Sequence, residues 1–529
     1  MADDIMNEET SRTLGKDAQR NNILAARVVA ETVKTTLGPR GMDKMLVDRV
    51  GNITVTNDGA TILDEMDIEH PAAKMIVEIA KTQEKEVGDG TTTAVMIAGK
   101  LLENAEKLLD MKIHPTIITR GYRLAEAKAQ EILENLSVEI SSKDELIKIA
   151  GTAMTGKGVE YLRDKFAEII VDAADTVAED NQVNLQDINI KTQKGGSIED
   201  SELIKGIVVN KERINLEMPR KVTNAKIALI EESLEIKGPE TEAKISVSSP
   251  DQLQNFLSQE DSILKSKVEW IKSVGANVIF VQRGIDDLVQ YYLAKAGIYA
   301  VRRVPRTDMQ SLSKATGAKI ISKLSEITPS DLGSAEIVEE RKDGEESSTY
   351  VLGCQNPKAL TILIRGGTEH VIDEVKRAVE DALGDIATTL KDSKIVSGGG
   401  SIEIELSKQL KEFASKISGR ERLAVEEFAS TLEFIPTTLA ENAGLDPIDI
   451  ITELRAAHDA GLQNAGLNLF NNSIEDNLVN GIIEPLKVKT QSLASATEVA
   501  IMILRIDDVI AAKKTSGNSG RLGNMTGYD

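Results

Sequence analysis

Apolar residues recur at two different periods along this chain, and the change of period divides it. Over residues 15–36 the spacing is helical, with Ile23, Leu24, Ala26, Val28, Val29 and Val33 in one stripe and Arg20, Arg27 and Lys34 outside it. The stripe stops at Leu37-Gly38-Pro39-Arg40-Gly41, where two glycines around a proline end a helix and bare the backbone. Residues 52–56 alternate as a strand and meet the turn signal Asn57-Asp58-Gly59. Helical spacing returns over residues 71–141, broken at His114-Pro115. After residue 200, β-like runs at 203–209, 225–230, 278–281, 299–304 and 319–322 alternate with helical segments at 286–296 and 308–315. A buried strand at 359–367 and a helix at 369–392 close this region. Helices then dominate up to 481, followed by a last helix at 494–504, a strand-like run at 505–513, and a Gly, Ser and Asn rich stretch from 515 that predicts disorder. An α/β block between two helical ends predicts an inserted domain within a discontinuous one.

Inside that block, residues 238–274 form an excursion. Ser249-Pro250-Asp251-Gln252 has the capping-box form, and Leu253, Phe256, Leu257, Ile263, Leu264 and Val268 follow at helical spacing. The pattern leaves two readings open: a helix packed on its own domain, or one that projects and docks on another chain.

A length of 529 residues exceeds one core and predicts two to four domains. The 63 basic residues against 85 acidic ones give a net charge of -22, spread along the chain, which predicts a solubilising surface and argues against nucleic acid as a partner. With Cys354 as the only cysteine and four histidines far apart, no disulfide framework or zinc site is visible. The acidic N-terminus and the absence of a long apolar run predict an intracellular, cytoplasmic protein with no membrane partner.

Candidate chemistry gathers at Gly88-Asp89-Gly90-Thr91-Thr92-Thr93, which leads into a helical run at 94–102. A helix N-terminus with free N–H groups, flexible glycines and three hydroxyls suits a phosphate, and Asp89 suits a magnesium ion that keeps phosphate oxygens and water. A plain capped helix reads the same way. Gly151 to Lys157 fit the first seven places of a P-loop, but Gly158 stands where Ser or Thr is needed and the preceding residues look helical, so a P-loop is rejected. Lys157 remains able to reach a phosphate, or is an exposed turn lysine. Asp58 shapes a turn or orients water, while Glu380 and Asp381 border an apolar stripe or position an attacking water. Gly398-Gly399-Gly400 is a hinge or a close ligand contact. A small-molecule kinase and a non-enzymatic scaffold both stay open on these residues.

Together, Thr36-Leu37-Gly38-Pro39, Asn57-Asp58-Gly59, Gly88 to Thr93, Glu380-Asp381-Ala382 and Gly398 to Gly400, in this order, resemble the chaperonins. Residues 35–46, Val87 to Thr93 and Leu504-Arg505-Ile506-Asp507-Asp508 resemble the group II branch, nearest the archaeal thermosome, over essentially the whole length except the tail. The resemblance implies a multidomain α and α/β chaperonin fold: a helical equatorial ATPase domain (1–144 and 399–529), an α/β intermediate hinge (145–212 and 363–398) and an inserted α/β apical domain (213–362) whose helical protrusion at 238–274 is a built-in lid. It implies ATP and Mg2+ as cofactors. Thr36, Leu37, Gly38 and Pro39 would line the nucleotide, Asp89 hold magnesium, and Gly90, Thr91, Thr92 and Thr93 cradle phosphates. Asp58 and Asp381 would orient the attacking water, with Asp381 as base, and Lys157 would sense the terminal phosphate. Gly399, Gly400, Asn468 and Glu484 would sit against ribose and adenine. Partners implied are other chaperonin subunits in two stacked rings of eight or nine, paired through the 52–56 hairpin and the terminal strand, and non-native polypeptide clients, with no separate lid co-chaperonin. Unlike relatives ending in Gly-Met repeats, residues 515–529 hold one methionine, Met525.

Overall fold

The apolar stripes at the two ends of the chain meet each other. A computed structural model describes residues 10–158, 160–236, 250–343, 346–355 and 357–512. Helices Gly15–Lys34, Pro71–Glu86, Thr91–Asp110 and Pro115–Leu136 share one core with Ser401–Ser415, Glu421–Leu432 and Leu486–Leu504. The helical region expected at 71–141 is three helices, divided at the expected His114-Pro115 break and again ahead of Thr91, and two of them start at a proline after a histidine whose ring caps the first turn. Thr91–Asp110 lies at the centre, and small residues let its neighbours approach: a Cβ on Gly99 would lie 2.3 Å from that of Ala30. Tyr122 sits fully inside, its hydroxyl donating to the Leu101 carbonyl at 2.7 Å and its ring edge-on to Phe428.

The chain's ends close on one another. Thr10–Leu14 pairs antiparallel with Asp508–Ala512, with Arg12 and Asp508 ion-paired at 2.6 Å. The last helix ends beside the first, and Gly15 donates to the Asp507 carbonyl at 2.7 Å, so the terminal strand meets its own chain's first strand along one edge. Ile53–Thr56 forms a hairpin with Lys44–Val47, a strand the alternation did not reveal, and Met45, Val47 and Ile53 stay exposed on it.

A second core lies under helices Lys143–Met154, Arg163–Val177 and Glu369–Asp392, which cover a sheet of Ile188–Lys194, Leu360–Gly366 and Glu202–Ile204. The helix expected over 369–392 has those bounds, because its apolar face is continuous from Ile372 to Ile386. Beyond it is the inserted block, built on a sheet with the order Tyr299–Val301, Val278–Val281, Lys221–Ile230, Gly333–Asp343, Glu346–Leu352, Gly206–Val209, and Ile320–Ile321 beside Lys221–Ile230. The strands at 333–343 and 346–352 escaped prediction because their outer positions are charged: Glu339 pairs with Lys221 and Arg341 there. The fold is multidomain, α and α/β, as expected.

Helix Pro250–Ser273 divides the two readings of the excursion between its halves. Leu264, Val268 and Ile271 are buried against the inserted block, whereas Phe256, Leu257 and Ile263 are exposed. The first part of the excursion, up to residue 249, lies outside the described residues, as does the tail from 513. Among the described residues no helix is long and apolar enough to cross a membrane.

Candidate active site

Two helix N-termini without side-chain caps open on one cleft. Thr91–Asp110 begins after Gly90, which has φ 79° and makes no cap bond, and Ser401–Ser415 begins after Gly400, with φ 78° and likewise none. First-turn N–H groups left without side-chain caps, at the positive end of a helix dipole, bind anions. The cleft measures about 550 Å³, within the ~300–1,000 Å³ of small-molecule sites. Thr36, Leu37, Gly38, Pro39, Asp58, Asp89, Gly90, Thr91, Thr92, Thr93, Lys157, Gly399, Gly400, Asn468 and Glu484 all line it. They come from separate stretches of chain, and backbone contacts hold these together. A Cβ on Gly156 would lie 2.8 Å from the Gly38 carbonyl, and one on Gly59 would lie 2.5 Å from the Thr92 hydroxyl.

Charge concentrates at one end. Lys157 Nζ lies 2.5 Å from Asp381 and 3.8 Å from Asp89. Asp381 belongs to Glu369–Asp392 over the second core and Asp89 to the loop ahead of Thr91–Asp110 in the first, so one lysine ties two bodies. Burial opposes the lysine's charge, but the carboxylates of Asp381 and Asp89 outweigh it and hold Lys157 protonated above its ordinary range. Burial raises Asp381 above the carboxylate range; Lys157 offsets part of this, and Asp89 and Asp58 add to it. Asp58 is the N-cap of Gly59–Glu65, accepting from Ala60 N and Thr61 N, with Thr91 Oγ1 3.4 Å from it. Its turn-shaping and its place in the cleft are therefore both real.

A model of the TCP-1/cpn60 chaperonin family matches residues 29–514. The chain belongs to the chaperonins. It is 57% identical over 518 residues to a thermosome subunit of Methanopyrus kandleri, covering 97% of this chain and 95% of that one. It is 56% identical over 528 residues to thermosome subunit beta of Archaeoglobus fulgidus, covering 98% and 97%. A Pyrococcus horikoshii thermosome subunit is 57% identical over 516 residues, covering 96% and 94%. The resemblance to the group II, thermosome branch holds.

At the other end of this chaperonin's cleft, Glu484 is fixed by a lysine that periodicity passed over. Lys489 Nζ lies 2.6 Å from Glu484 and 2.9 Å from Glu403, both glutamates on separate elements. Burial raises Glu484, and Lys489 only partly offsets it; Lys489 itself is held charged by the two acids against its own burial. Gly398 leaves room for that carboxylate, since a Cβ there would lie 2.7 Å from Glu484 Oε1. Asn468 sits in an unexpected hairpin, Ala465–Asn468 with Ser473–Asp476, where its amide donates to Glu475 at 2.9 Å and its carbonyl accepts from Phe470 N at 3.0 Å. Its side chain is thus engaged in shaping the hairpin. Asp385 was also passed over. It lines the cleft one helical turn past Asp381, a spacing of four that puts both on one face. Burial, then the charge of Asp89, raise its carboxyl well above the ordinary range.

Proposed function

We propose that this chaperonin is an ATP hydrolase whose turnover drives a ring-shaped folding chamber. The observation that carries the reading is the Lys157 bridge between Asp381 and Asp89 beside the uncapped start of Thr91–Asp110. The N–H and hydroxyl groups of Gly90 to Thr93 would cradle the phosphates, and those at Gly399 and Gly400 would meet the other end of the nucleotide with Glu484. Among the described residues no three ligating side chains form a ready metal cage, so a Mg2+ ion fits only as an ion completed by phosphate oxygens and water, with Asp89 as its carboxylate. Bound there, it would neutralise charge building on the phosphate oxygens. A terminal phosphate competes with Asp381 for Lys157, and the freed carboxylate takes a proton from the attacking water as the bond to the ADP oxygen breaks.

Because Asp381 and the phosphate cradle sit on different bodies, the catalytic set is complete only in one relative placement of the two, and nucleotide biases that placement. The same reading makes the terminal body equatorial, the second core a hinge and the inserted block apical, in two stacked rings of eight or nine subunits. The exposed hairpin residues Met45, Val47 and Ile53, with Ile510 on the terminal sheet, support pairing with a neighbour. Exposed Phe256, Leu257 and Ile263 suit a protrusion that closes over non-native clients without a separate co-chaperonin.

The test is Asp381→Ala in the full chain, assayed for phosphate release without an added acceptor. Nucleotide should still bind while turnover falls by about 10² or more. Turnover that appears only with a small-molecule acceptor would favour a kinase, and absence of nucleotide binding in the unsubstituted chain would leave a scaffold.

A further inference from the structure

Two glycine backbones touch where the hinge helix meets the loop ahead of the phosphate cradle. A Cβ on Gly384 would lie 2.7 Å from the Val87 carbonyl oxygen and 2.9 Å from Gly88 Cα, and one on Gly88, at φ 100°, would lie 2.9 Å from Gly384 Cα. The residue after each glycine is an aspartate, Asp89 on the loop and Asp385 on the helix, so the contact sets two acids side by side in one cleft wall. Asp385 is 3% exposed, and its Oδ1 has no hydrogen-bond partner among the described residues. An enclosed carboxyl oxygen without a donor has given up its water and gained nothing in return, the more so if charged, and the cleft is where a partner can enter.

We propose that Asp385 is a second carboxylate for the divalent cation held at Asp89, acting through the ion's bound water. This rests on the nucleotide reading above and extends it. The enclosure of Asp385 keeps the ion itself on the more open Asp89, whose side chain is 34% exposed, while hydration water supplies the donor that Asp385 lacks. Lys157, the cation the two acids share, is nearer Asp381 at 2.5 Å than Asp89 at 3.8 Å and is also drawn on by a terminal phosphate, so an incoming cation supplies the further charge that the Asp89 and Asp385 pair needs.

Asp385→Asn keeps shape and removes charge. Binding of a fluorescent ADP analogue to the full chain is titrated with Mg2+, and separately measured in EDTA. The variant should need at least about fivefold more Mg2+ for half-saturation, the size expected from deleting one nearby charge, while metal-free binding stays equal or tightens. A merely structural role weakens both in parallel, and that result, or a Mg2+ requirement within twofold of the unsubstituted chain, overturns the proposal. Asp385→Ser repeats the test if the amide fails to give native-sized particles. If the unsubstituted chain binds the analogue under neither condition, the nucleotide reading itself falls; binding there with no Mg2+ difference in the variants removes Asp385 alone.

Discussion

Replacing Gly384 by Ala should separate binding from chemistry. The new methyl would stand 2.7 Å from the Val87 oxygen and 2.9 Å from Gly88 Cα, where ordinary contact begins near 3.4 Å, and neither neighbour is a side chain that can rotate away. The helix and loop must part by about half an ångström. In an isolated helix the change would be favourable by ~1 kcal/mol, and backbone crowding costs ~1–3 kcal/mol, so the fold should lose about 0–2 kcal/mol and persist. The parting moves Asp381 away from the phosphate cradle. A misplacement of ~1 Å costs about 10² in rate, so half of that predicts roughly a tenfold fall in ATP turnover. Nucleotide affinity should change by less than about threefold, because the cradle at Gly90 to Thr93 and Gly399 to Gly400 belongs to one body. Steady-state phosphate release and equilibrium nucleotide binding, on particles sized by light scattering, measure both. Gly367→Ala, where a Cβ meets nothing within 4 Å, is the control and should be silent. Unchanged turnover in Gly384→Ala, or loss of binding equal to the loss of rate, would refute the idea that this contact sets the catalytic spacing.

Lys157→Met should leave nucleotide binding measurable by dialysis while lowering phosphate release by about 10², since the residue pairs with Asp381, the base of the proposed mechanism, and lines the cleft that would hold the phosphates. Glu433 is held below the ordinary carboxylate range: burial pushes it up, but hydrogen bonds from Arg455 and Lys411 outweigh that. Its stabilisation is therefore complete above the unfolded value of ~4.3 and is lost as pH falls through the lower folded value; Glu433→Gln should cost about 1–3 kcal/mol at pH 7 in denaturant melts and progressively less below pH 4. Burial pushes the Cys354 thiol up to about 11, so its thiolate at pH 8 is about a hundredfold scarcer than on an exposed thiol; alkylation of the native protein should be slow and keep rising with pH past 9, and a plateau near 9 would contradict the burial.

The hydrophobic period disclosed the helices whose apolar faces are continuous, such as Glu369–Asp392, and the helix starts that carry the phosphate signals. It failed where charges are buried in pairs. Lys487-Val488-Lys489-Thr490-Gln491 reads as polar, so the last helix seemed to begin at 494; it begins at Leu486, because Lys489 finds Glu403 and Glu484 inside the protein. Short hairpins also escaped, Ala465–Asn468 with Ser473–Asp476 among them, because four residues carry too little alternation. Lys157 and Asp381 lie 224 positions apart, and nothing local joins them. The family resemblance gave each a role near the terminal phosphate but not their pairing, whereas Asp385 could have been found locally, four residues after Asp381.

The core that joins residues 23–133 to residues 396–504 has a consequence for synthesis. Helices made first cannot complete their packing until about 370 more residues have left the ribosome, which at ~5–20 residues per second means tens of seconds. Meanwhile the intervening cores at 149–395 and 207–359 are complete in themselves or nearly so, the first lacking Leu478 and Ile483. A growing chain thus carries finished middle units and an opening segment whose apolar stripes stand unmatched, the very kind of surface a folding chamber takes in.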